Sequence, residues 1–111
     1  MMSDKLPPFL EAVVQKYPQV WEAYSRLGEA CLAAGPLDER TSRLVKLGIA
    51  VGAKLEGAVH SHARRARKLG ITEAELEQVA LLAVTTLGWP AAMAALSWIQ
   101  EGQPQEDPSS T

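Results

Sequence analysis

From Trp89 to Gln100 the sequence WPAAMAALSWIQ carries no charged side chain, and the next ionisable group is Glu101. Gly88 ends what precedes this stretch and Pro90 suits the first turn of a helix, so the stretch reads as a helix. Such a helix cannot present an ordinary polar face to water. It must be covered, and two further segments compete for the same cover. Leu44, Val45, Leu47, Ile49 and Val51 fill most of the circumference of a helix after Asp38, and VALLAVTTL (residues 79–87) is apolar nearly all round. Together these segments display more apolar surface than one bundle of 111 residues can bury. An obligate homo-oligomer is the simplest remedy, with Trp89 and Trp98 as anchors.

The rest of the chain follows the same helical period, and the expectation is an all-α bundle of about six helices. Phe9, Leu10, Val13 and Val14 mark a first helix of about residues 8–16, ended before Pro18. Pro18 opens a second, in which Val20, Trp21, Tyr24, Leu27, Ala30, Cys31 and Ala34 form one apolar face, closed by Gly35-Pro36. Asp38 caps the third, where Gly48 and Gly52 suggest a tight helix crossing, the alternative, stronger for Gly52 than for Gly48, being that they loosen the helix end before Lys54. Leu55–Leu69 is the fourth, stopped by Gly70, with Arg64, Arg65, Arg67 and Lys68 read as a solvated helix end. Thr72 and Glu75 form a capping-box pattern that opens the fifth, which runs to Gly88. Residues 1–101 read as one helical domain and 102–111 as a polar tail.

The fourth helix holds the most informative residue. Leu55, Ala58, Val59, Ala63, Ala66 and Leu69 share a stripe, and His62 falls inside it. His60 lies about 200° away, among the basic residues. The spacing therefore predicts one buried and one solvated histidine. A buried imidazole needs a hydrogen-bonding partner or loses its charge, so His62 is either a satisfied core residue or a proton-handling group.

Composition removes several function classes. The net charge is −2 with acids and bases interspersed, and the basic run has no interleaved aromatic, so nucleic acid is not an expected partner. The single cysteine, Cys31, excludes an intramolecular disulfide and is read as inert packing. No signal sequence and no long uncharged apolar run is present, which leads to the expectation of a soluble, cytoplasmic protein without membrane contact. No metal or cofactor is expected, because His60 and His62 diverge on a helix and no carboxylate lies three or four residues from His62 on its own face.

Residues 37–100 also resemble a known family. LDERTSRLVKLGIAV, HSHARRARKLGITEAELEQVALLA and LGWPAAMAAL, in this order and spacing, are similar to the carboxymuconolactone decarboxylase and alkyl hydroperoxidase D superfamily. The resemblance implies an all-helical, alkyl hydroperoxidase D-like fold assembled as trimers or hexamers. Its peroxidase members use Cys-x-x-Cys-x-x-x-His with a glutamate one helix earlier. Here the cysteine positions fall on Leu55 and Ala58, the glutamate position on Arg43, and only the histidine is kept, as His62. A thiol peroxidase needs an attacking thiolate and a resolving thiol, so Cys-based peroxidase or disulfide-reductase chemistry is rejected.

The decarboxylase branch needs no cysteine pair. It needs a group to hold a carboxylate or developing enolate and another to move a proton. The resemblance offers Arg43 for the first role and His62 for the second; Thr86 and Trp89, beside Thr85, are candidate substrate-binding residues of the same cavity, against the ordinary alternatives of packing for the tryptophan and own-helix hydrogen bonds for the threonines. Helix periodicity gives Arg43 an ordinary alternative, a surface ion pair beside Glu39 and Lys46. Two readings stand at this level. One is a lyase-like enzyme or binder of a small carboxylated or lactone-like compound, with His62 as acid/base in a pocket between the last three of the six helices. The other is a non-catalytic oligomeric member in which His62 is a buried hydrogen-bonding residue.

Overall fold

Proline and glycine set the helix boundaries where expected. The computed structural model describes residues 6–104, which hold helices and no strand. The elements are α1 (Pro8–Lys16), α2 (Pro18–Ala33), α3 (Glu39–Gly52), α4 (Glu56–Lys68), α5 (Glu73–Leu82), α6 (Val84–Leu87) and α7 (Trp89–Glu101). No helix among the described residues is long and apolar enough to cross a membrane. The tail expected from residue 102 lies, beyond Pro104, outside the described residues.

The chain divides into two units, Met1–Leu37 and Asp38–Thr111. In the first, α1 and α2 form a helical pair with the Trp21 and Tyr24 rings 5.9 Å apart. No residue of either helix is buried. The face carrying Val20, Tyr24 and Leu27 is exposed, and so is Cys31, contrary to the expectation of a packed thiol. The apolar stripe follows the helical period, and two helices packed on each other bury only part of such a stripe.

The second unit has a true core, built by α3 packing on α4, α5 on α7, and α4 on α7. Leu47 and Val51 of α3, Val59 of α4, Ile71, Leu76 of α5 and Ile99 of α7 are buried, and alanines at 50, 63, 66, 80 and 95 fill the contacts between them. Small side chains let the helices approach closely while the larger ones interdigitate. Asp38 Oδ1 accepts from the Thr41 N–H at 2.7 Å and caps α3. The capping box is present at α5, with Glu75 N–H donating to Thr72 Oγ1 at 3.2 Å and Thr72 N–H to Glu75 Oε1 at 3.1 Å. Arg40 pairs with Glu75 and ties α3 to α5.

Two helices end in the same way with different residues. After α4, Gly70 at φ 83° lets Ile71 N–H reach Ala66 O at 3.1 Å and Gly70 N–H reach Arg67 O at 3.0 Å. After α3, Leu55 N–H reaches Ala50 O at 3.1 Å and Lys54 N–H reaches Val51 O at 3.1 Å, with Lys54 at φ 59°. Both are Schellman closures, and in the second a lysine occupies the left-handed position that glycine fills best.

The expected fifth helix is broken at Ala83 into α5 and the one-turn α6. Bonds from Ala83 N–H to Ala80 O and from Thr86 N–H to Ala83 O, each 3.1 Å, tighten the chain on either side of the break. The β-branched run Val84-Thr85-Thr86, poorly suited to helix, follows it. The tight crossing expected at Gly48 and Gly52 is absent. A Cβ on Gly48 would meet only Val79 Cγ1 at 3.9 Å, and one on Gly52 nothing within 4 Å. Both glycines instead line a cavity.

Candidate functional site

Arg43 and His62 meet. They sit on α3 and α4, the most closely packed helices of the second unit, and Arg43 Nη1 lies 2.8 Å from His62 Nδ1. Arg43 is therefore drawn onto the imidazole, beyond the surface ion pair that periodicity offered as its ordinary role. A guanidinium has only donors, so His62 Nδ1 must be the acceptor, which puts the ring proton of the neutral imidazole on Nε2.

The ring is half-buried, as is that of His60, so the contrast predicted between the two histidines is smaller than the stripe implied. The long side chains of α4 account for this. Arg64, Arg65 and Arg67 are half-buried too, and the solvated helix end expected there is confined to Lys68. Arg67 binds Glu73 through Nε at 2.5 Å and Nη2 at 2.9 Å, and its Nη2 also donates to Ile99 O at 2.9 Å. Alanines 63 and 66 bring neighbouring helices close enough for these aliphatic stems to be covered.

Burial and charge act together on His62. Its pKa is lowered from 6.5 to about 4, first by burial and then by the cations Arg43, Lys46 and Arg65. At neutral pH the imidazole is uncharged, with Arg43 on Nδ1 and an N–H at Nε2. Lys46 and Arg65 were not singled out by sequence. Their spacing was the available signal, since each lies three residues beyond a member of the pair and so on the same side of its helix.

Thr86 and Trp89 occupy other places. A cavity of about 550 Å³ lies between α3 and α5–α6, lined by Leu44, Val45, Gly48, Val51, Val79, Leu82, Ala83 and Leu87, with Thr41, Glu75, Gln78 and Thr86 as its polar lining. Arg43, His62 and Trp89 do not line it, so it is not the expected polar pocket at His62. Trp89 is the first residue of α7 and is 62 % exposed. Leu55, on which the resemblance places one cysteine of the peroxidase pattern, caps α4 and is exposed, while Ala58, the other such position, is half-buried.

A further group of donors lies elsewhere on α4. Glu56, His60 and, from α7, Glu101 bring one ligand atom each within 4.8 Å of one another. Sequence reasoning tested carboxylate spacing around His62 and passed over His60, which has Glu56 four residues before it.

Comparison with known proteins agrees with the fold. An uncharacterized protein of Methanocaldococcus jannaschii is 28% identical over 93 residues, covering 83% of this chain and 89% of that one. An uncharacterized protein of Haemophilus influenzae is 35% identical over 52 residues, covering 47% of this chain and 46% of that one. The apo crystal structure of a carboxymuconolactone decarboxylase family protein from Legionella pneumophila superposes with a TM-score of 0.69 at 27% identity, covering 84% of this chain and 83% of that one. The model of the carboxymuconolactone decarboxylase family matches residues 18–101, and the chain belongs to that family.

Proposed function

We propose that this protein binds a small carboxylated or lactone-like molecule at the Arg43–His62 pair and acts on it in the manner of a decarboxylating lyase, without thiol chemistry. The observation that carries this reading is the 2.8 Å contact between Arg43 and His62 within a cluster of three cations. Converging positive charge beside a half-buried donor attracts a carboxylate, and the His62 Nε2–H is suited to hold a carbonyl oxygen or developing enolate. As isolated in the folded chain, His62 is too weakly basic to be protonated at neutral pH. An anion bound among Arg43, Lys46 and Arg65 offsets the part of the pKa depression that these cations add to burial, and a second proton reaches Nδ1 once Arg43 turns from the ring to the anion, which readies His62 for acid/base work.

The exposed apolar side chains Val45, Ile49, Leu81, Leu82 and Trp89 support assembly as a homo-oligomer, of which a trimer or hexamer is the form we propose.

A second reading, a non-catalytic oligomeric member, is favoured by one observation: the cavity lies away from His62. The two readings separate in a thermal-shift screen of small carboxylic acids and lactones, including carboxymuconolactone, against the wild type, His62→Ala and Arg43→Gln. The proposal expects a compound that raises the melting temperature of the wild type alone and is turned over by it. No shift in any of the three proteins, with His62→Ala merely less stable, supports the non-catalytic reading.

A further inference from the structure

On α4, Glu56 and His60 are one turn apart and share a face, with Glu56 Oε2 3.5 Å from His60 Nε2. From the last residue of α7, Glu101 Oε2 comes within 3.8 Å of the same nitrogen. Ligand atoms bonded to one ion at roughly 2.0–2.2 Å sit about 3–4.5 Å apart, so the three donors already have nearly the spacing of a coordinated set. Small side-chain rotations close the remainder.

This convergence is held from behind. Arg67, on α4, donates to Ile99 O two residues before Glu101 and is itself fixed by Glu73, which fastens the end of α7 against α4. The next residue is Gly102, at an ordinary helical φ of −82°, so no backbone strain requires glycine there. A Cβ at that position would stand 3.2 Å from Arg67 Nη1 and 3.7 Å from His60 Nδ1, which shows how closely the end of α7 lies against the histidine and the arginine. Glu101 also sits at the carboxyl end of its helix, where the backbone dipole favours a positive charge. The Arg67 guanidinium beside it is engaged by Glu73 and a backbone carbonyl. Two carboxylates and one imidazole nitrogen make a mixed oxygen and nitrogen donor set that a metal ion can bridge in place of the ring proton, and the side chains are open enough to solvent, at 33% for His60, 56% for Glu56 and 59% for Glu101, to admit the ion.

We propose that Glu56, His60 and Glu101 form a binding site for a divalent transition-metal ion, with water in the remaining coordination positions. The imidazole selects zinc-like ions over magnesium and calcium, which take oxygen ligands. The site lies on the opposite side of α4 from the Arg43–His62 pair and does not depend on the function proposed there. An ion held here cross-links the start of α4 to the end of α7.

The test is calorimetric titration of the full chain with Zn2+, repeated with Mg2+, together with absorption spectra of the Co2+ form. His60→Gln, Glu101→Gln and Cys31→Ser are titrated alongside, after their metal-free melting curves confirm folding. The expected result is one Zn2+ per chain, visible-region Co2+ bands, no competition from Mg2+, and at least about tenfold weaker binding in His60→Gln and in Glu101→Gln. Cys31→Ser binds like the wild type. The proposal is overturned if Zn2+ does not bind, if Glu101→Gln binds it unchanged, or if Cys31→Ser abolishes binding, which would assign the metal to the exposed thiol. Glu101 is an exposed helix-end residue, so its variant keeps the test decisive even if His60→Gln fails to fold.

Discussion

Replacing His62 with glutamine tests the electrostatic account of the site through stability alone. In the folded chain His62 stays neutral until the pH approaches about 4, whereas in the unfolded chain it takes up a proton near 6.5. Between these values the unfolded state binds more protons, so the His62 contribution is fully present above about pH 6.5 and is lost as the pH falls toward 4. The full shift corresponds to ~3 kcal/mol, and solvent screening at a half-buried ring reduces this to about 1–2 kcal/mol. Glutamine cannot titrate, and its amide oxygen can still accept from Arg43. Urea unfolding followed by circular dichroism, at fixed protein concentration and several pH values, gives the stability of each protein. Subtracting one curve from the other cancels groups common to both, including Asp38 and Glu75, whose lowered pKa values make them lose stabilising charge only at more acid pH. The wild type is expected to lose about 1–2 kcal/mol more than His62→Gln across the interval. A difference that stays flat with pH, or that favours the wild type as acid is added, would falsify the assignment of a neutral, cation-flanked His62.

Arg43→Gln removes the largest charge acting on His62 but leaves its burial. The His62 pKa, followed by NMR of the ring protons, is expected to rise from about 4 and remain below 6.5, and an unchanged value contradicts the pairing. Leu76→Ala empties a fully buried position in the core of the second unit and should cost about 2–5 kcal/mol in chemical denaturation; a loss below ~1 kcal/mol means that the site collapses or is not core. Lys54→Gly relieves a left-handed lysine in the α3 closure and should raise stability by about 0.5–1 kcal/mol, read as an increase in melting temperature, with a decrease counting against the Schellman assignment.

The fold was legible in sequence wherever a local rule decided the outcome. Asp38, the Thr72–Glu75 box, Gly70 and Gly88 each act through the backbone within a few residues, and each stands where the sequence placed it. The charge-free α7 was recognised for the same reason. Its consequence was only partly foreseen: Ala92, Ala95 and Ile99 are buried, while Trp89 remains exposed. Side-chain placement across helices was harder to read. Helical periodicity assigns each residue to a face, but it does not say how far a guanidinium will reach. Arg67 extends from α4 to Glu73 and to the backbone of α7, and Arg43 crosses from α3 to His62. Both lie at positions that a helical wheel marks as polar. The cavity is not legible in sequence because glycines such as Gly48 and Gly52 are compatible either with close contact or, where no neighbour fills the gap, with open space.

The arginine at position 43 sets the electrostatics of the histidine it contacts. In the peroxidase pattern that the sequence resembles, a glutamate occupies that position, and a carboxylate beside a histidine raises its basicity and helps it withdraw a proton from a thiol. Arg43 reverses the sign: its positive charge, donated N–H and neighbours Lys46 and Arg65 oppose protonation of His62. The reversal agrees with the other exchanges, because Leu55 and Ala58 leave no thiol from which a base would need to take a proton. That combination, a neutral imidazole flanked by cations with no thiol beside it, carries the proposed function, since its converging positive charge would suit a bound anion.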